Sequence, residues 1–317
     1  MKPSPELLSG ATSFFYWRLW GLPAALLNFT LVGWFLGVQN ARVPLYILLA
    51  TNVMNMLLTL LFVLHWQWAV VGATQAAIIS EWIGAGVGLF FLPQVLRKIP
   101  GQWCLSPLKR WKEWKPLLFV NRDIFIRSLT LHIAFFLVTV QGTRLGDNTV
   151  AANMIILNGL LLMSHLLDGF AHAIESLCGR AIGRQDRDEL FNTLVVAGGW
   201  GLLISLGFSL LFIVGGRGFI DRLSQIESVR KAAYPLIPFL VVLPIVSVWS
   251  YLLDGLFIGA TRAKEMRDAM LLSFIIALPL GYLLTPLGNA GLWIAFLTFM
   301  ACRGVIMGWI TYRIDKG

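Results

Sequence analysis

The stretch YLLDGLFIGATRAKEMRD, residues 251–268, sets one carboxylate, Asp254, inside an apolar run before the chain turns basic. A carboxylate among hydrocarbon side chains must pair with a cation or keep its proton, because an isolated charge there is too costly to hold. A group that changes charge with its surroundings is what an ion-coupled carrier needs. A fixed pairing with Arg127 or His132 is the plainer alternative. A second set stands in HLLDGFAHAIESLCGR, residues 165–180, where His165, Asp168, His172 and Glu175 recur at steps of three, four and three. At about 100° per residue these fall on one stripe of a helix. Such a stripe can line a hydrophilic cavity for protons or cationic solutes, bond helices together, or ligate a metal. Upstream, in ATNVMNMLLTLLF (50–62), Asn52, Asn55 and Thr59 share a face whose amides could coordinate a cation or simply pack. Glu81 and His132 are single polar residues in apolar surroundings.

The elements that carry these residues are long apolar runs. Hydrophobic residues make up 57% of the 317 and charged ones 13%, with mean hydropathy +0.75, against about 25% charged in an ordinary soluble domain. Nine runs are long enough to cross hydrocarbon as helices, which takes about 20 residues each. They are 14–38, 43–64, 69–93, 119–142, 149–178, 191–215, 234–260, 269–286 and 290–311. None alternates as a barrel strand must, so the expectation is an all-α polytopic membrane bundle of about nine transmembrane helices. The net charge of +9 sits in the connections, which makes it a matter of topology and not of nucleic-acid affinity. Residues 97–123 hold seven basic residues, whereas 65–70 and 285–291 hold no Lys or Arg. The positive-inside rule therefore puts 97–123 and the C-terminus in the cytoplasm, against the pull of four basic residues at 215–233. Cys104, Cys178 and Cys302 are scattered, with neither a disulfide framework nor metal spacing. With four histidines, no H-E-x-x-H and no G-x-S-x-G, an intramembrane enzyme is not supported.

An internal repeat organises the chain. Gly33 aligns with Gly255 at an offset of 222, and the same offset relates Phe35 to Phe257, Gly37 to Gly259, Ala41 to Ala263 and Arg42 to Lys264. Val32 stands where the second copy has Asp254, and Pro23 and Pro244 precede the pair at nearly the same distance. VVGATQAAI (70–78) and GNAGLWIAF (288–296) agree in outline, so the first three spans resemble the last three, as repeats do in transporters. The expected organisation is a three-span remnant of an N-terminal lobe at 1–96, a basic cytoplasmic connection at 97–117 and a complete six-span lobe at 118–317. Three further spans are then expected ahead of residue 1.

NRDIFIRSL (121–129), LDGFAHAIESLCGRAIGRQD (167–186), YLLDGLFIGATRAKEMRD (251–268) and LVGWFLGVQNARVPL (31–45) together resemble the multidrug and toxic compound extrusion (MATE) family, in its DinF-like branch. The resemblance implies pseudo-repeated six-helix lobes, the first truncated, that export organic and often cationic compounds in exchange for H⁺ or Na⁺, with no other cofactor. It implies that Asp254 is the acid of the family's tenth span, that Asp168 and Glu175 are polar positions of the eighth, and that Asn52 and Asn55 are amides of the fifth. His165 and His172 look like local variations, and Thr59 stands where many relatives carry an aspartate. The first-span aspartate tied to proton coupling has no counterpart in the sequence. The expected cation or substrate pathway thus comprises Asp254, Asp168, Glu175, Asn52, Asn55 and His132. Expected partners are lipophilic or cationic organic compounds, held by acids and aromatic rings, and the lipid bilayer, with no nucleic acid. A separately encoded N-terminal segment is a further expected partner, and a non-transporting fragment or subunit is the competing expectation. The expected location is the bacterial cytoplasmic membrane.

Overall fold

Hydrocarbon offers backbone N–H and C=O groups no water to bond, so each apolar run satisfies itself by coiling. In the computed structural model, which describes residues 5–99 and 109–316, all regular structure is helical. In chain order the helices are α1 (Pro5–Gly37), α2 (Arg42–Thr59, continued by a π-helical turn, Leu60–His65), α3 (Ala69–Leu96), α4 (Trp111–Arg144), α5 (Asp147–Arg184), α6 (Arg187–Leu223), α7 (Glu227–Ala233), α8 (Ile237–Gly259), α9 (Ala263–Leu283) and α10 (Asn289–Lys316). A 3₁₀ turn at Tyr234–Leu236 carries α7 into α8, so the described residues hold nine helical segments able to cross a membrane.

Each span lies where hydropathy placed it, but several run longer. The 38 residues of α5 make a helix roughly 57 Å long at 1.5 Å per residue, well beyond a hydrocarbon core of about 30 Å. Asp147, Arg180 and Arg184 therefore stand at its ends. The connections shrink accordingly. α4 begins at Trp111, so Lys112, Lys115 and Arg122 stand on a helix and the C-terminal part of the expected 97–117 connection is helical. Cys104 and residues 100–108 lie outside the described residues. Likewise 215–233 is not a loop: only the residues between Leu223 and Glu227 interrupt α6 and α7. Between α5 and α6, Gln185 takes the left-handed conformation that stops a helix, and the Asp186 side chain accepts the Glu189 N–H at 2.9 Å to start the next.

The chain divides into two compact units, Met1–Cys104 and Leu105–Gly317. In the first, α1–α3 pack around Leu31, Phe35, Val43 and Ile47. Glu81 on α3, without a partner in its own stretch of sequence, pairs with Arg18 on α1 at 2.6 Å. In the second unit α5 and α8 form the centre, and Ile156, Leu167, Leu240, Val248, Trp293 and Phe299 belong to one continuous core. Lipid tails are as apolar as leucine, so polar bonds and close backbone approach decide which helix meets which. Asn153 on α5 accepts hydrogen bonds from Asn289 and Trp293 of α10, both at 2.8 Å. Ser250 on α8 donates to the Met300 carbonyl at 2.8 Å, and Ser209 on α6 to the Val241 carbonyl at 2.7 Å.

Gly255 and Gly259 are where α8 lies backbone to backbone on α5. A Cβ at Gly255 would run into the Ala171 carbonyl oxygen, and one at Gly259 into that of Glu175. Their counterparts in the repeat, Gly33 and Gly37 of α1, meet open space. The repeat survives in the helix ends, with α1 stopping at Gly37 and α8 at Gly259. Its packing differs between the two copies.

Candidate functional site

The close contact of α5 and α8 opposes their polar residues. Asp254 comes from α8, one residue before Gly255, and Asp168, His172 and Glu175 come from the stripe on α5. α4 completes the wall with Arg127. Together they line a cavity of about 780 Å³ in the C-terminal unit, whose apolar side includes Phe135, Phe136 and Tyr251.

Asp254 is 5% exposed and is not a free acid. Its Oδ2 accepts from Nη2 of Arg303 on α10 at 2.8 Å and from Nη2 of Arg127 on α4. The pairing with Arg127 that sequence offered as the plainer alternative is present. Arg303 is the residue that sequence reasoning missed. It is 2% exposed and lies 5.7 Å from the Phe299 ring centroid. Its signal was available, an arginine inside the apolar run 290–311, and a charge there is costly enough to demand a partner. Two guanidiniums against one carboxylate leave an excess positive charge, and removing Asp254 strands buried cations at a cost of about 3–5 kcal/mol.

Asp168 is different. It lines the cavity and accepts no hydrogen bond among the described residues, although Arg127 and His172 lie within electrostatic reach. Nearby, His172 Nδ1 and Glu175 Oε2 are 3.3 Å apart in a half-exposed pair. The site therefore offers one unengaged carboxylate, a second that is loosely held, and aromatic rings. That combination suits an organic cation whose charge meets the acids while its apolar body packs on the rings.

The remaining sequence-derived residues do not line the cavity, although His165 lies within electrostatic reach of Asp168. His165 is exposed and Nδ1 donates to the Leu161 carbonyl at 2.7 Å. His132 is likewise exposed, donating from Nδ1 to the Ser128 carbonyl at 2.7 Å, and does not line the cavity. Asn52 and Asn55 belong to the N-terminal unit, on α2, where Asn52 is exposed and Asn55 accepts from Thr59 at 3.2 Å. No group of three or more metal-binding side chains is present among the described residues.

The sequence pattern of the MatE family matches residues 1–61 and 124–283. Over 314 residues the chain is 36% identical to DNA damage-inducible protein F of Escherichia coli (strain K12), covering 98% of this chain and 68% of that protein. It is 24% identical over 308 residues to Protein DETOXIFICATION 43 of Arabidopsis thaliana, and spans 57% of that protein's length. A crystal structure of MATE in complex with MaL6 superimposes with a TM-score of 0.86 over 100% of this chain and 72% of that one, at 20% identity, which speaks to the fold alone.

Proposed function

The chain belongs to the MatE family, and on that premise we propose that it is a secondary active transporter, exporting lipophilic organic cations in exchange for H⁺ or Na⁺. The observation that carries this reading is the cavity of about 780 Å³ between α4, α5 and α8, with Asp168 on its wall accepting no hydrogen bond among the described residues. Its volume falls in the range of sites for drug-sized molecules. An acid that no hydrogen bond ties down can hold a cationic solute or a coupling ion, but not both at full strength. That competition is the physical requirement for antiport: binding one ligand must weaken the hold on the other.

Asp254 takes a different role from the one its sequence setting suggested. Held by Arg127 and Arg303, it ties α4, α8 and α10 together at the cavity wall and sets where the Arg127 charge points. The excess of Lys and Arg at the end of the C-terminal unit that includes the start of α4, the α5–α6 turn and the end of α10 supports placing that end in the cytoplasm. The reading places the chain in the cytoplasmic membrane as a multi-pass protein.

The test is accumulation of a fluorescent cation such as ethidium in bacterial cells that lack their own drug exporters. Expression of the chain should lower accumulation, and an uncoupler or removal of Na⁺ should abolish the difference. Unchanged accumulation, with the protein demonstrably in the membrane, would sink the reading.

A further inference from the structure

At the same charged end of the C-terminal unit, α6, α8 and α10 enclose a groove of about 610 Å³ that shares no residue with the cavity above. Leu190 and Leu194 of α6 and Leu256 and Phe257 of α8 give it an apolar floor. At the helix ends the lining becomes cationic, with Arg187 at the first residue of α6 and Arg262 in the turn after α8. Neither charge is tightly paired. Arg187 makes no ion pair among the described residues, and Arg262 reaches Glu265 only at 3.6 Å through Nε. Arg262 Nη1 is buried with no hydrogen-bond partner. On its flank the groove meets the surroundings of the bundle, for Phe191, which lines it, is 68% exposed.

We propose that this groove binds one anionic phospholipid, its phosphate on Arg187 and Arg262 and one acyl chain along the floor between α6 and α8. The occupant follows from the solvent. Around a membrane-spanning helix, an apolar groove open at its side is filled by lipid tails. The two guanidiniums then choose among lipids, because a planar fork matches phosphate oxygens and basic pockets between membrane helices retain anionic headgroups. Free phosphate would leave the floor uncovered. A zwitterionic lipid brings its own cation to a site that already has two. The orientation proposed above would put this groove in the leaflet facing the cytoplasm, but binding itself does not depend on orientation or on transport.

Native mass spectrometry of the full chain, from detergent containing equal amounts of phosphatidylglycerol and phosphatidylcholine with the same acyl chains, tests the assignment. The wild type should retain one phosphatidylglycerol in preference. The R187Q/R262Q variant should hold it about tenfold or more weakly, each cation contributing to headgroup attraction, with phosphatidylcholine retention unchanged. K112Q/K115Q removes the same charge from α4 and should keep the preference. Gly308→Leu fills the groove without altering charge, since Gly308 lines it and the nearest atom to an added Cβ is Leu253 Cδ1 at 3.9 Å. It should displace the lipid. Equal losses in R187Q/R262Q and K112Q/K115Q would overturn the proposal in favour of diffuse charge attraction. Undiminished retention in Gly308→Leu would overturn it as well, and decides the matter alone if the arginine variant does not fold.

Discussion

Asp254 and Asp168 sit on facing helices of one cavity, yet their surroundings assign them opposite work, and substitution should separate them. Asp254→Asn leaves Arg127 and Arg303 without their carboxylate, an uncompensated buried charge worth about 3–5 kcal/mol. It should lower the unfolding midpoint in detergent and the yield from membranes. Adding Arg303→Gln to Asp254→Asn should recover part of that loss, because the stranded cation goes with its partner, and a double-mutant cycle on the midpoint measures the coupling. Additive losses would show that the pair is not coupled. Asp168→Asn breaks no hydrogen bond, so its midpoint should match the wild type. Its efflux of an organic cation should fall about tenfold or more, as expected when a charged contact worth about 1.5–3 kcal/mol is lost. The acids were legible in the sequence because a carboxylate in an apolar run is conspicuous. Their roles were not, because the partners of Asp254 lie 127 and 49 residues away, and no local pattern announces which helices will meet.

Among the helices, the contact of α5 with α8 does the positioning, and two glycines permit it. Gly255→Ala or Gly259→Ala drives a methyl into the backbone of α5 at Ala171 or Glu175. Overpacking of this kind costs about 1–3 kcal/mol, and here it also pushes Asp254 away from Asp168. Stability and transport should fall together. Gly33→Ala, at the equivalent place in α1, meets open space and should hold or raise the midpoint, by about 0.5–1 kcal/mol from helix propensity. A thermal melt of the three variants decides it, and equal destabilisation at Gly33 and Gly255 would contradict the contact described. The G-x-x-x-G spacing showed that some helix could come close. It could not show that the same spacing in α1 meets no close neighbour among the described residues, because small residues permit an approach without compelling one.

For the whole molecule, hydropathy was the strongest signal. Backbone hydrogen bonding in lipid leaves so few options that nine apolar runs led directly to nine helical spans among the described residues. What hydropathy could not show was where each helix stops. Trp111 begins α4 within a basic stretch that composition alone presents as a loop, and the charged ends of α5 continue as helix past the hydrocarbon. The central claim concerns the assembled protein: the acid-lined cavity of the C-terminal unit exchanges an organic cation for an ion. The most direct test reconstitutes the full chain in lipid vesicles and follows a lipophilic cation under an imposed H⁺ or Na⁺ gradient, wild type beside Asp168→Asn. Flux in the wild type that follows the gradient and is lost in the variant, with both proteins equally folded, is the predicted result. Equal flux in the two, or none in the wild type under either gradient, would contradict it.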